Sequence, residues 1–176
     1  EVLKVNTQIP VVLFPGDYSQ VSNKADALLF LSLLSGRNPE YLIEQQIKAV
    51  PFLKNSTLEI IPTGYILIDG GTNSSVLKVS KTTPISQNDV NLAVATAVAG
   101  MYKGKQLIYL EAGSGAKIPV NPKIISEVKK TIKIPLIVGG GIRTKEQLKN
   151  AYDNGADLVV IGTAFENNTI QNIWQN

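Results

Sequence analysis

The sequence predicts an α/β chain, a parallel (β/α)8 barrel in which six of the eight strand–helix units are legible. Three observations predict it. Short apolar runs closed by turn residues alternate with helical segments along the whole chain, the pattern of βαβ units on a parallel sheet. The six strand candidates, beginning at Val11, Leu28, Leu58, Leu107, Leu136 and Leu158, are near-continuous hydrophobic runs, as in strands buried on both faces. Finally, I-P-L-I-V-G-G-G-I-R and G-A-D-L-V-V-I-G-T are two consecutive units whose strands both run into glycine. A complete barrel typically takes about 250 residues. The expectation is therefore a single barrel domain over residues 1–176, incomplete at its N-terminus by two units of roughly 30 residues each.

Composition bounds the chemistry. At 176 residues and 44% hydrophobic, the chain can bury one sizeable core. No run of about 18 apolar residues exists, so no membrane-spanning helix is predicted. The first ten residues lack the layout of a signal peptide, and a cytoplasmic location is expected. Cysteine is absent, which removes disulfides, thiolate nucleophiles and Cys-ligated metals. Histidine is absent too, leaving a carboxylate, Tyr or Lys as any general base. The net charge of +3 is spread over presumed helix faces, without the basic stripe of a nucleic-acid binder.

In chain order, Pro10–Phe14 reads as a strand broken by Pro15-Gly16, and Ala25–Leu34 as the most apolar strand. Asn38 is a candidate N-cap before Pro39, a residue tolerated in a first helical turn. The helix that follows carries Tyr41, Leu42, Ile47 and Val50 at helical spacing. The next strand is expected to end near Ile61, bend at Pro62–Gly64 and resume at Tyr65–Ile68, because proline disrupts ladder pairing. Asp69–Pro84 reads as a long loop without helical period, and long loops are often functional. Asn88–Tyr102 is a helix rich in Ala and Val, suited to close packing on the barrel or on another subunit. Gln106–Leu110 is a strand opening into E-A-G-S-G, and Pro122–Ile132 an amphipathic helix with Ile124, Ile125, Val128 and Ile132 inward. Phe165–Asn176 is expected to add a last helix packed through Trp174.

Function is sought at the C-terminal strand ends, where barrels carry their active residues. The rule selects Tyr109, Glu111, Ser114, Asp69 and Thr63. Tyr109 and Glu111 are two apart on a strand and share a face. A phenol and a carboxylate on an inner face both need partners. The turn Ala112, Gly113, Ser114, Gly115 is expected to leave backbone N–H groups free for an anion. The glycines Gly139, Gly140, Gly141 and the pair Gly162-Thr163 let bare N–H groups approach a phosphate beside a helix N-terminus. Tight strand-to-helix turns alone would also require glycine, but two such corners in tandem match the phosphate grip of barrels. Asp69-Gly70-Gly71 is as much a turn signal as a site. Lys78 and Lys81 are available either to a pyrophosphate or to solvent, and Arg143 either to a phosphate or to a surface salt bridge.

The segments F-P-G, L-F-L-S-L-L-S-G-R-N-P-E-Y-L-I, I-P-T-G-Y-I-L-I-D-G-G, T-T-P-I, Y-L-E-A-G-S-G-A-K, I-P-L-I-V-G-G-G-I-R and G-A-D-L-V-V-I-G-T-A together resemble one family. It is the geranylgeranylglyceryl phosphate synthase family with the related PcrB-type prenylglyceryl phosphate synthases, in its archaeal and Bacteroidetes-type branch. The resemblance runs from about Pro10 to Phe165. It implies a TIM barrel that transfers a prenyl group from a polyprenyl diphosphate such as geranylgeranyl diphosphate to the 3-hydroxyl of sn-glycerol 1-phosphate, releasing pyrophosphate, in ether-lipid biosynthesis. It implies glycerol-phosphate contacts by Tyr109, Leu110, Glu111, Ala112, Gly113, Ser114, Gly115, Gly140, Gly141, Gly162 and Thr163. Glu111 would hold the glycerol hydroxyls and take the proton of the attacking oxygen, with Tyr109 beside it. Phe14, Phe30, Leu33 and Tyr65 are candidate walls of a prenyl groove. A homo-oligomer and Mg2+ are also implied. The family's metal-binding aspartate lies on a first strand, and a Gly-Gly-Ser/Thr turn on a second, that this sequence does not contain.

Two other readings remain open on the residues alone: a phosphate-binding barrel isomerase or lyase, and a barrel that keeps the phosphate grip without turnover.

Overall fold

In the computed structural model, residues 6–72 and 75–167 are described. Six strands form one sheet in the order β1-β2-β3-β4-β5-β6, every neighbouring pair parallel. They are β1 (Val12–Leu13), β2 (Ala27–Leu33), β3 (Glu59–Leu67), β4 (Leu107–Glu111), β5 (Leu136–Gly139) and β6 (Leu158–Val160). A π-helical turn, Glu40–Glu44, runs into α1 (Gln45–Leu53); α2 (Ser75–Ser80), α3 (Val90–Tyr102), α4 (Pro122–Thr131), α5 (Lys145–Asp153) and α6 (Thr163–Glu166) follow. This is the strand–helix alternation of a (β/α)8 barrel, with six strands among the described residues. No described helix is long and apolar enough to cross a membrane.

Alternation along the strands builds two apolar layers. Ile66, Ile108, Leu110 and Val138 face the helices and pack with Ala93 and Ala97 of α3 and with Ile124, Ile125 and Val128 of α4. Leu29, Leu33, Tyr65, Leu67, Tyr109 and Ile137 point the other way, into the concave side. Parallel register then stacks them in rows: Tyr65, Tyr109 and Ile137 are neighbours across β3, β4 and β5, and one level up so are Leu67, Glu111 and Gly139. Ala93, Ala97 and Gly100 of α3 turn toward the barrel, while Ala95 and Ala99 stay exposed. A Cβ on Gly100 would meet Leu34 Cδ1 at 2.6 Å.

Three expectations need correction. β3 does not bend at Pro62; it pairs continuously from Glu59 to Leu67. In a parallel ladder a residue's N–H and C=O face the same neighbour. The Pro62 carbonyl accepts from Gln106, so its missing N–H faces the segment just before β4 begins, where no partner strand needs it. The segment Asp69–Pro84 is not wholly a loop, because Ser75–Ser80 forms α2. Six residues are too few to display a period in sequence. Finally, Ile47 and Val50 are 56% and 52% exposed, and α1 buries Gln46 and Ala49 instead. A 3.6-residue period from Leu42 passes through Gln46 and Ala49 and leaves Ile47 and Val50 on the opposite flank. Of the last helix expected over Phe165–Asn176, only residues 165–167 are described; Phe165 and Glu166 end α6, and Trp174 lies outside the described residues.

Candidate active site

Glu111 ends β4 with only 7% of its surface exposed. Its Oε1 accepts the Gly113 N–H at 2.8 Å. Tyr109, one step down the same face, is fully buried and stacks edge-on against Tyr65, ring centroids 5.4 Å apart. Phe14 closes the other side of this cluster, 5.8 Å from Tyr65 and 5.4 Å from Tyr109. Burial raises the Glu111 carboxyl above the usual glutamate range, opposed by the Tyr109 hydroxyl beside it and by the Gly113 N–H. The same burial, then the Glu111 charge, drives both phenols upward, so Tyr65 and Tyr109 stay protonated. Glu111 is thus a buried carboxyl that holds a proton more tightly than one in water.

The glycine corners flank this carboxylate. Gly140 and Gly141 have φ of 83° and 74°, a region that favours glycine. A Cβ on Gly140 would stand 2.5 Å from Glu111 Oε1 and 2.8 Å from the Ala112 and Gly113 nitrogens. Glu111, Gly113, Ser114, Gly115, Gly140, Gly141, Gly162 and Thr163 line one cavity, with Tyr109 in its floor and Arg143 at its edge. Among the described residues, the N–H groups of Ser114, Gly140, Gly141, Gly162 and Thr163 donate to no protein acceptor. Five unmatched donors around one hollow make a receptacle for an oxyanion.

An apolar groove adjoins this cup. Its walls include Phe14, Phe30, Leu33, Tyr41 and Tyr65, and Phe14, Leu29, Tyr65 and Val76 line both spaces. The cup and the apolar groove therefore adjoin, with these four side chains between them.

A family model described as the PcrB family matches residues 1–175. The chain belongs to the PcrB family. It is 65% identical over 167 residues to a geranylgeranylglyceryl phosphate synthase of Zunongwangia profunda, covering 95% of this chain and 71% of that protein. Against the synthase of the same name in Flavobacterium johnsoniae the identity is 60%, covering 95% and 69%. The crystal structure of (S)-3-O-geranylgeranylglyceryl phosphate synthase from Thermoplasma acidophilum, in complex with substrate sn-glycerol-1-phosphate, superposes with a TM-score of 0.90 at 39% identity. It covers 97% of this chain and 69% of that one. The Thermoplasma volcanium enzyme gives 0.88 at 41% identity, with the same coverage.

Within this PcrB-family chain, several sequence-selected residues do not reach the cavity. Leu110 has no exposed surface and Ala112 is buried; both pack toward the helices, because side chains alternate along β4 and its extension. Of the Ala112–Gly115 turn, only Ser114 keeps a free N–H: Ala112 donates to the Gly139 carbonyl, Gly113 to Glu111, and Gly115 to Thr163 Oγ1 at 3.3 Å. Gly162 has a φ of −102° and open space where a Cβ would go, so neither strain nor crowding demands glycine there. Thr63 is buried low in β3, its hydroxyl donating to the Ile61 carbonyl. Asp69 makes a turn, accepting the Gly71 N–H at 2.9 Å, while Gly70 gives room to the Ala112 carbonyl. Lys78 and Lys81 are exposed and line neither space. Arg143 makes no salt bridge among the described residues; its guanidinium donates to the carbonyls of Ala116 and Gly141. Val76 and Leu29 are site-wall residues that sequence reading missed. Leu29 was readable only as one of a run of leucines, and Val76 was hidden in the short α2.

Among the described residues, no group of three or more Asp, Glu, His or Cys side chains could hold a metal ion. The residues of these six strands thus do not by themselves fit the magnesium implied by resemblance.

Proposed function

We propose that the chain carries the acceptor half of a prenyltransferase site, which joins sn-glycerol 1-phosphate to geranylgeranyl diphosphate or a related polyprenyl diphosphate through an ether bond. The observation that carries this reading is that the cavity beside Glu111 and the apolar groove share the side chains of Phe14, Leu29, Tyr65 and Val76. An anion receptacle beside a buried carboxylate suits a phosphorylated alcohol. An apolar groove that shares four wall residues with the cavity of this carboxylate suits a hydrocarbon. The substrates named for the relatives, a geranylgeranylglyceryl phosphate product and bound sn-glycerol-1-phosphate, support it.

In this reading the free N–H groups of Gly140, Gly141, Gly162 and Thr163 hold the phosphate, and Glu111 orients the glycerol 3-hydroxyl. That oxygen attacks the first carbon of the prenyl group, the carbon–oxygen bond to the diphosphate breaks, pyrophosphate leaves, and the hydroxyl proton passes to Glu111. Fixing nucleophile and allylic carbon in one geometry supplies much of the rate. Tyr65, Tyr109 and Phe14 keep water from the reacting carbon. Mg2+ belongs to the reading as the neutralising partner of the diphosphate, with its ligands in the part of the relatives' length that this chain does not match. The enzyme is proposed to work as a cytoplasmic homo-oligomer.

Incubation with labelled sn-glycerol 1-phosphate and geranylgeranyl diphosphate tests the reading. An organic-soluble labelled product supports it. Label that stays in the aqueous phase, from protein that binds sn-glycerol 1-phosphate, shows a phosphate site without prenyl transfer.

A further inference from the structure

The two walls of the anion cup lie beyond the last ladder pair, Glu111 with Gly139, where β4 and β5 cease to support one another. Four of their residues, Gly113, Gly115, Gly140 and Gly141, are glycines with φ of 101°, 72°, 83° and 74°. Such backbone has much freedom to lose, and nothing in its own propensity keeps the N–H groups aimed inward. Something must hold the walls in place.

Arg143 spans them. Its Nη2 donates to the Ala116 carbonyl at 2.6 Å, on the wall that follows β4, and its Nη1 to the Gly141 carbonyl at 3.3 Å, on the wall that follows β5. Among the described residues, no other side chain bonds to both. The anchor itself is fixed: the Arg143 N–H donates to Gln147 Oε1 at 2.7 Å, and Gln147 is held in the capping box that starts α5 with Thr144. We propose that Arg143 is a positioning residue, whose planar fork sets the spacing of the two walls and so the aim of the N–H donors on Ser114, Gly140 and Gly141. This rests on the reading of the cup as the phosphate site. The bidentate geometry is the active property, and a point charge at the same place does not replace it.

Calorimetric titration of this chain with inorganic phosphate and with sn-glycerol 1-phosphate, together with thermal midpoints, tests the proposal on the unaltered protein, R143K and R143A. R143K keeps the stem and the charge, so the test does not hang on the folding of R143A. The expected result is about tenfold weaker binding of both ligands by both variants. R143K binding at unaltered strength overturns the proposal, whether or not R143A weakens, as does a lowered midpoint with unchanged phosphate affinity. If the unaltered chain binds phosphate but not sn-glycerol 1-phosphate, the substrate reading fails, and the phosphate series still decides the role of Arg143. No phosphate binding by the unaltered chain overturns both.

Discussion

Glu111 Oε1 accepts the Gly113 N–H at 2.8 Å, so the carboxylate that ends β4 also pins the turn that follows it. Replacing it with glutamine keeps an acceptor for that N–H but removes the proton acceptor. E111Q is expected to fold and to lose at least about a hundredfold in turnover, the lower end of what a general base supplies. Circular dichroism and a product assay check the two halves of this statement, and unchanged turnover removes Glu111 from the chemistry.

The same carboxyl gives a pH signature. Its pKa in the folded chain lies above the ordinary value of 4.5, chiefly through burial. Turnover should therefore rise along an acid limb displaced above that value, and the limb should vanish in E111Q. Because the folded pKa exceeds the unfolded one, the folded state binds the proton more tightly. The resulting stability is full below the unfolded pKa and is lost as pH rises through the folded one. The thermal midpoint of E111Q relative to the unaltered chain should increase with pH across that window. A midpoint difference that stays flat with pH contradicts the assignment.

Gly140 is required by both strain and space. Valine there needs a left-handed backbone and sets a Cβ against Glu111 Oε1 and two backbone nitrogens. G140V is expected to cost about 2 kcal/mol or more of stability and to weaken sn-glycerol 1-phosphate binding by at least about tenfold. Denaturant titration and calorimetry measure each.

Gly162 should behave differently although it sits in a matching corner. With φ at −102° and free space beyond its Cα, G162A should change stability by less than about 1 kcal/mol. A large loss in denaturant titration would mean that the turn is tighter than its geometry indicates.

Leu110 separates packing from binding. It is wholly buried against the helices, so L110A should cost about 2–5 kcal/mol while leaving the affinity for sn-glycerol 1-phosphate unchanged at a temperature where the variant is folded. A selective loss of affinity would place Leu110 in the site after all.

All six strands were readable from apolar runs and their glycine or proline ends. Burial on both faces explains that composition for the inner strands, whereas Val12 of β1 and Leu158 and Val160 of β6 stay 45%, 50% and 37% exposed at the sheet edges. Tyr109 and Glu111 were readable as a pair sharing a face, because the strand period of two is local. Leu110 and Ala112 turn their side chains toward the helices by that same period, which leaves only their backbone to meet a ligand. Pro62 shows a limit, because whether a missing N–H matters depends on where the neighbouring strand begins.

The sequence by itself determined the parallel strand–helix alternation, the glycine corners and the face shared by Tyr109 and Glu111, all of which follow from spacing along one strand or one turn. Tertiary structure decided which corner truly needs its glycine, that the exposed Arg143 bridges two walls, and that the anion cup and the apolar groove share Phe14, Leu29, Tyr65 and Val76. Those are distances between residues far apart in the chain, fixed by register and packing, and no local pattern encodes them.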